Sequence, residues 1–156
     1  DRDVFASIGG PYRVRSEMET TAYMQGWLSN SQNAVRLAII YREAGDPEGQ
    51  LVGLVSLTDI DWVHRVGVYQ ILVGDKEARG KGLGSRATDA ILRHGFDDLG
   101  LNRIELELYA DNEHAKAMYR KFGFVEEGVK RQRCYRFGDY VDVSVMGLLA
   151  RDFQRL

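Results

Sequence analysis

Between an apolar run, Val66–Val73, and an amphipathic stretch that begins at Leu83 lies the segment Arg79-Gly80-Lys81-Gly82-Leu83-Gly84-Ser85. A strand that passes through a glycine-rich turn into a helix aims backbone N–H groups at one point beside the helix N-terminus. Unpaired donors and the helix dipole there favour a phosphate. The segment is not a Walker loop, because no Gly-Lys-Ser/Thr closes a four-residue spacer. It is not the dinucleotide fingerprint either, because Ser85 stands where the third glycine belongs. On these residues alone, a glycine-rich turn without a ligand stays open beside an anion site.

The surrounding pattern is that of one α/β domain covering residues 1–156. Ser16 and Glu19 have capping-box spacing and predict a helix over residues 16–29. VRLAIIY, a GDPEG turn and QLVGLVSL predict a β-hairpin. VGVYQILV is apolar on both faces, as a central strand covered on both sides requires. Residues 83–99 read as a long helix stopped at Gly100, and RIELELY as a strand with one wet face. Asp111 or Asn112 can cap a helix running through Phe122, and two further strands meet at Gly138-Asp139.

Composition narrows the partners. Net charge is -2, from 21 basic and 23 acidic residues, which gives no global electrostatic case for nucleic acid or an anionic membrane. The one cysteine, Cys134, excludes an internal disulfide, and His64, His94 and His114 lie too far apart for zinc spacing, so no metal is expected. No apolar stretch reaches the roughly 20 residues a bilayer requires, and no signal-peptide pattern opens the chain. The expectation from these features is a cytoplasmic protein.

Two motifs in order then carry a resemblance to the GNAT superfamily of N-acetyltransferases. Arg79, Gly82 and Gly84 meet the pattern Arg/Gln-x-x-Gly-x-Gly/Ala. Asn112, Ala115, Tyr119 and Gly123-Phe124 meet Asn-x-x-Ala-x-x-x-Tyr-x-x-x-Gly-Phe. The ending, Gly138-Asp139-Tyr140-Val141-Asp142 through Met146 and Leu148, resembles the branch holding ribosomal-protein N-terminal and polyamine acetyltransferases. The resemblance implies a mixed, largely antiparallel sheet flanked by helices, here without the usual first strand and helix. It also implies acetyl-coenzyme A as co-substrate. Backbone at Ile71, Leu72 and Val73 would pair with the pantetheine arm, amides of Arg79, Gly80, Lys81, Gly82, Leu83, Gly84 and Ser85 would hold the pyrophosphate, and Asn112 would contact the pantetheine side. Tyr119 would protonate the departing thiolate; a phenol with a pKa near 10 lies above a thiol near 8.5.

The departures concern the acceptor. Val68 stands where many members of this branch carry a glutamate, leaving Glu17, Asp59, Asp61 and His64 as candidate bases acting through water. Gly9, Gly10 and Arg13 replace acidic positions of the polyamine enzymes, which weakens the case for a polycation and leaves Glu17 with that character. Glu17 and Asp59 are the substrate candidates. A small-molecule amine is favoured; a protein N-terminus, or coenzyme binding without catalysis, are the alternatives. A homodimer or larger oligomer is expected from an uncovered sheet edge. Cys134 reads as a packing residue, Lys130, Arg131, Arg133 and Arg136 as a solvated strand face, and His114 as an exposed helical turn.

Overall fold

The computed structural model describes residues 16–28, 32–43, 45–75, 77–78 and 80–156. Its first helix, α1 (Glu17–Leu28), is opened by the capping box read from sequence. The Ser16 amide donates to the Glu19 carboxylate at 2.9 Å, and the Glu19 amide donates back to the Ser16 hydroxyl at 3.2 Å. The first strand and helix that the resemblance finds lacking would come before the region resembling residues 1–12, and residues 1–15 lie outside the described residues.

Strands β1 (Val35–Tyr41), β2 (Gln50–Asp61) and β3 (Val66–Val73) follow as an antiparallel meander. Helix α2 (Leu83–Arg93) then crosses to β4 (Arg103–Tyr109), which lies parallel to β3. Helix α3 (Glu113–Arg120) leads into the hairpin of β5 (Val125–Arg136) and β6 (Asp139–Leu149). The strands of the described residues form one sheet in the order β1-β2-β3-β4-β6-β5, with β3 and β4 its only parallel neighbours. The mixed, largely antiparallel sheet expected from sequence is present. None of the described helices is long and apolar enough to cross a membrane.

The core fills the face that α2 and α3 cover. Leu57, Ile91, Leu92, Ile104, Phe122 and Met146 are completely buried there, each removal from water contributing about 1.5 to 3 kcal/mol. β3 is central but unequally covered, which corrects the expectation of a doubly covered strand: Gly67 and Tyr69 are buried, Val68 is half-buried and Gln70 exposed.

Three boundaries differ from the sequence reading. The long helix ends at Arg93 and residues 94–98 continue as one wider π turn, after which Gly100 takes a positive φ. A side chain at Gly95 would meet Leu57 and Ile104 at 2.9 Å, so the helix closes on the sheet only because that residue is glycine. α3 stops at Arg120, two residues early, and Gly123 with φ 98° redirects the chain. The last hairpin turns at Phe137-Gly138, not Gly138-Asp139, because Arg136 pairs with Asp139 and leaves two loop residues, both with positive φ.

Ion pairs tie β5 to its neighbours. Arg103 binds Glu127 through both terminal nitrogens, and Lys116, buried on α3, binds Glu126, which also accepts from the Ser144 hydroxyl at 2.6 Å. The Arg103 bond holds the Glu127 carboxyl below its ordinary pKa of 4.5, and the Ser144 and Lys116 bonds do the same to Glu126. A carboxylate lowered on folding contributes stability that is fully present above its unfolded pKa and lost as pH falls through the folded value. Melting temperature is therefore expected to fall on acidification below about pH 4.5, and Glu127→Gln to weaken that fall. A scan of melting temperature against pH checks both.

Candidate active site

β3 and β4 start as partners and separate. Val66, Gly67 and Val68 pair with Arg103, Ile104 and Glu105, and no further pair joins the two strands among the described residues. Beyond Val68 the sheet forks, while β3 stays bonded to β2 on its other edge as far as Val73 opposite Gly53. Ile71, Leu72 and Val73 line the open arm, half-buried, where an extended chain could add to the exposed edge.

The glycine-rich loop sits at the end of that arm. Gly80 and Gly82 both take positive φ, 75° and 74°, and a side chain at either would meet nothing within 4 Å. Gly82 is the N-cap of α2, and no side chain caps that end. The loop thus presents helix N-terminal amides to open space, the arrangement that suits a phosphate group. Gly84 lies against the strand, where a β-carbon would sit 3.9 Å from Ile71 and Val73. Leu83 packs on the core, Ser85 is half-buried, and the Lys81 ammonium lies 4.6 Å above the Tyr41 ring. Arg79 lies outside the described residues.

Tyr119 points from α3 toward the buried face of β3. It is 7% exposed, and its ring meets Tyr69 edge-on at 5.7 Å and Phe124 at 5.6 Å. Burial pushes its phenol up to about 12, partly offset by the neighbouring Tyr69 hydroxyl. At that value the phenol keeps its proton across the working pH range, and it is a hydrogen-bond donor more than a strong acid. Asn112 caps α3, its side-chain oxygen accepting the Ala115 amide at 3.1 Å, so its NH₂ group is what remains to meet a ligand.

The acidic candidates are not gathered at this point. Asp61 and His64 bind each other at 2.8 Å in the β2–β3 turn, where Asp61 also accepts the Val63 and His64 amides. That turn precedes β3 and the glycine loop follows it, so the pair lies about 23 Å of strand away from the loop. Asp61 and His64 hold the turn together, with Asp61 opposite Val66, two residues before the fork at Val68. Asp59 is exposed at a bulge with φ 50°, one row below the fork, and accepts from Thr58 at 3.0 Å. Glu17 is exposed in the first turn of α1.

Sequence reasoning missed Tyr69 and Thr88. The Tyr69 hydroxyl lies 2.7 Å from the Thr88 hydroxyl, which donates to the Gly84 carbonyl at 2.7 Å. The available signal was the polar ring within VGVYQILV and a threonine four residues after Gly84.

Comparison with known proteins agrees with this geometry. The family model described as Acetyltransferase (GNAT) family matches residues 3–124. The chain is 35% identical over 104 residues to spermidine N(1)-acetyltransferase of Vibrio cholerae, covering 67% of this chain and 60% of that protein. It is 30% identical over 122 residues to the putative ribosomal N-acetyltransferase YdaF of Bacillus subtilis, covering 78% and 63%. The aligned part thus spans less than two thirds of either relative's length. The crystal structure of spermidine N-acetyltransferase from Vibrio cholerae in complex with CoA and spermine superposes with a TM-score of 0.78 at 28% identity, covering 97% of this chain and 85% of that one. With the forked sheet, the uncapped glycine loop and the buried tyrosine in the order that both motifs require, this chain belongs to the acetyltransferase (GNAT) family.

Proposed function

We propose that the chain transfers an acetyl group from acetyl-coenzyme A to the primary amine of a small molecule, by direct attack within a ternary complex. The observation that carries this reading is the fork between β3 and β4, which opens beside the buried face holding Tyr119 and ends at the uncapped start of α2. Its parts suit the coenzyme one by one. Edge groups of Ile71, Leu72 and Val73 suit the amide-bearing pantetheine arm. Amides of Gly80, Lys81, Gly82, Leu83, Gly84 and Ser85, with Arg79 in the same loop, suit the pyrophosphate. The Asn112 NH₂ group would reach the arm from the far side of the fork.

The coenzyme supplies an activated thioester, whose carbonyl carbon a neutral amine attacks. The chain's residues then have three tasks: hold the amine, take its proton and protect the departing sulfur from leaving as a bare anion. Tyr119 meets the third by donating its hydroxyl hydrogen to the sulfur as charge develops. With Val68 in β3, that strand provides no carboxylate base, so the amine's proton leaves through water. Glu17 and Asp59 are the groups proposed to draw in a cationic acceptor.

Spermidine is the first acceptor to test, given the similarity to spermidine acetyltransferases. The similarity to the ribosomal-type relative favours one second reading, a protein N-terminus as acceptor. A thiol-release screen with acetyl-coenzyme A separates them. Turnover on spermidine or another small amine, with none on N-terminal peptides, is the expected result. Turnover on peptides alone would replace the acceptor, and coenzyme binding without turnover on anything would make the chain a binding module.

A further inference from the structure

We infer that Glu105, standing on β4 directly opposite Val68, is the carboxylate that receives the acceptor's proton at the fork. This rests on the reading of the fork as the place where the amine meets the thioester.

The register of the sheet puts it there. The last row that joins β3 to β4 runs across five strands as Thr58, Val68, Glu105, Gly147 and Val125. Glu105 is the one ionisable side chain in that row. Its neighbours Ile104 and Leu106 are buried in the core, so alternation along the strand turns Glu105 to the other face. Tyr69 and Tyr119 lie on the core face. A thioester held in the fork would then have the phenol on one side, toward the leaving sulfur, and the carboxylate on the other, toward the incoming amine.

The charges at this point do not balance. Arg103 binds Glu127 through both terminal nitrogens, at 2.7 and 2.5 Å. It binds Glu105 by longer bonds from Nε and one terminal nitrogen, 3.2 and 3.1 Å, and both fall on Oε2. Two carboxylates share one guanidinium, so one negative charge is left over, and Oε1 of Glu105 is the oxygen that Arg103 leaves open. Gly147 makes the arrangement possible, because a β-carbon there would lie 2.5 Å from Glu127 and 2.6 Å from Arg103. The Glu105 side chain is 38% exposed, so water reaches it. Neighbouring carboxylates are engaged. Asp61, opposite Val66, accepts the Val63 and His64 amides on one oxygen and meets the His64 ring with the other. Glu107, two residues beyond Glu105, is bound by Lys130.

The step balances with these groups. The amine nitrogen bonds to the carbonyl carbon, becomes cationic and passes its proton through water to Oε1. The C–S bond then breaks, and sulfur keeps the electron pair and takes the Tyr119 hydrogen. Solvent afterwards removes the proton from Glu105 and returns one to Tyr119.

The test uses Glu105→Gln, Glu107→Gln and the double variant Val68→Glu/Glu105→Gln, with acetyl-coenzyme A and spermidine. Glu105→Gln should lower kcat about 100-fold, and the melting shift produced by acetyl-coenzyme A should be kept. Glu107→Gln, which removes a carboxylate already taken by Lys130, should stay within about twofold of the parent. In the double variant a carboxylate returns to the same row from the facing strand, and at least about 10-fold of the lost rate should come back. A kcat for Glu105→Gln within about twofold of the parent, an equal loss in Glu107→Gln, or a folded double variant as slow as Glu105→Gln overturns the inference. An active parent beside an unimpaired Glu105→Gln removes only the role of Glu105, whereas a parent that acetylates neither spermidine nor any other amine removes the reading beneath it.

Discussion

Tyr119→Phe is expected to lose about 100-fold to 10,000-fold in turnover while folding and coenzyme affinity persist. The ring is kept, so the edge contacts with Tyr69 and Phe124 survive and the core does not open. What disappears is one hydroxyl on a face that is 7% exposed, where water cannot easily replace it. The pH dependence sharpens the expectation. Burial raises the phenol to about 12 from its ordinary 10, so the protonated, active form persists well above the pH at which an exposed tyrosine would ionise. The parent's activity should therefore rise with pH as the amine loses its proton and hold through pH 10. A rate profile for parent and variant with saturating acetyl-coenzyme A checks both. Near-parental turnover in a folded Tyr119→Phe protein would leave solvent as the proton source.

The second large effect belongs to the glycine loop. Saturating the parent with acetyl-coenzyme A at about 100 times Kd should stabilise it by about 2.7 kcal/mol, or roughly 5 to 10 °C in melting temperature. Gly82→Glu should abolish that shift. Its φ of 74° favours glycine, and an added carboxylate would occupy the space that the phosphates need and repel them. Gly84→Ala is the control, since its β-carbon would lie in ordinary contact, 3.9 Å from Ile71 and Val73. That variant should keep the coenzyme shift and gain about 0.5 to 1 kcal/mol of stability from the helix. An equal shift in Gly82→Glu would remove the loop from the coenzyme site.

Both effects concern residues that the sequence displays openly, because motif spacing records local backbone demands. Ser16 and Glu19 announce a helix start through their own hydrogen bonds, and RIELELY gives strand limits that coincide with β4. The turn at Phe137-Gly138 was misplaced by one residue because cross-strand pairing of Arg136 with Asp139 overrode the preference for glycine and aspartate in the loop. The π turn at 94–98 depends on how closely Gly95 approaches Leu57 and Ile104, which no local pattern encodes. The fork is equally non-local, since neither β3 nor β4 carries a sign that their pairing ends at Val68 and Glu105. The ionisable pair Asp61 and His64 is legible near a central strand, but that it sits at the fork end of β3 and away from the glycine loop follows only from strand direction. The Tyr69 to Thr88 contact joins residues 19 apart, and only the packing of α2 on β3 brings them together.

The most direct measurement of the account is product identity: acetyl-coenzyme A and spermidine incubated with the parent, with free thiol and acetylated amine quantified together by mass spectrometry, and with Tyr119→Phe and Gly82→Glu in parallel. The account predicts one acetylated amine formed per thiol released in the parent, a product formed slowly by Tyr119→Phe, and none above background with Gly82→Glu. Thiol released without an acetylated amine, or equal product from all three proteins, would contradict it.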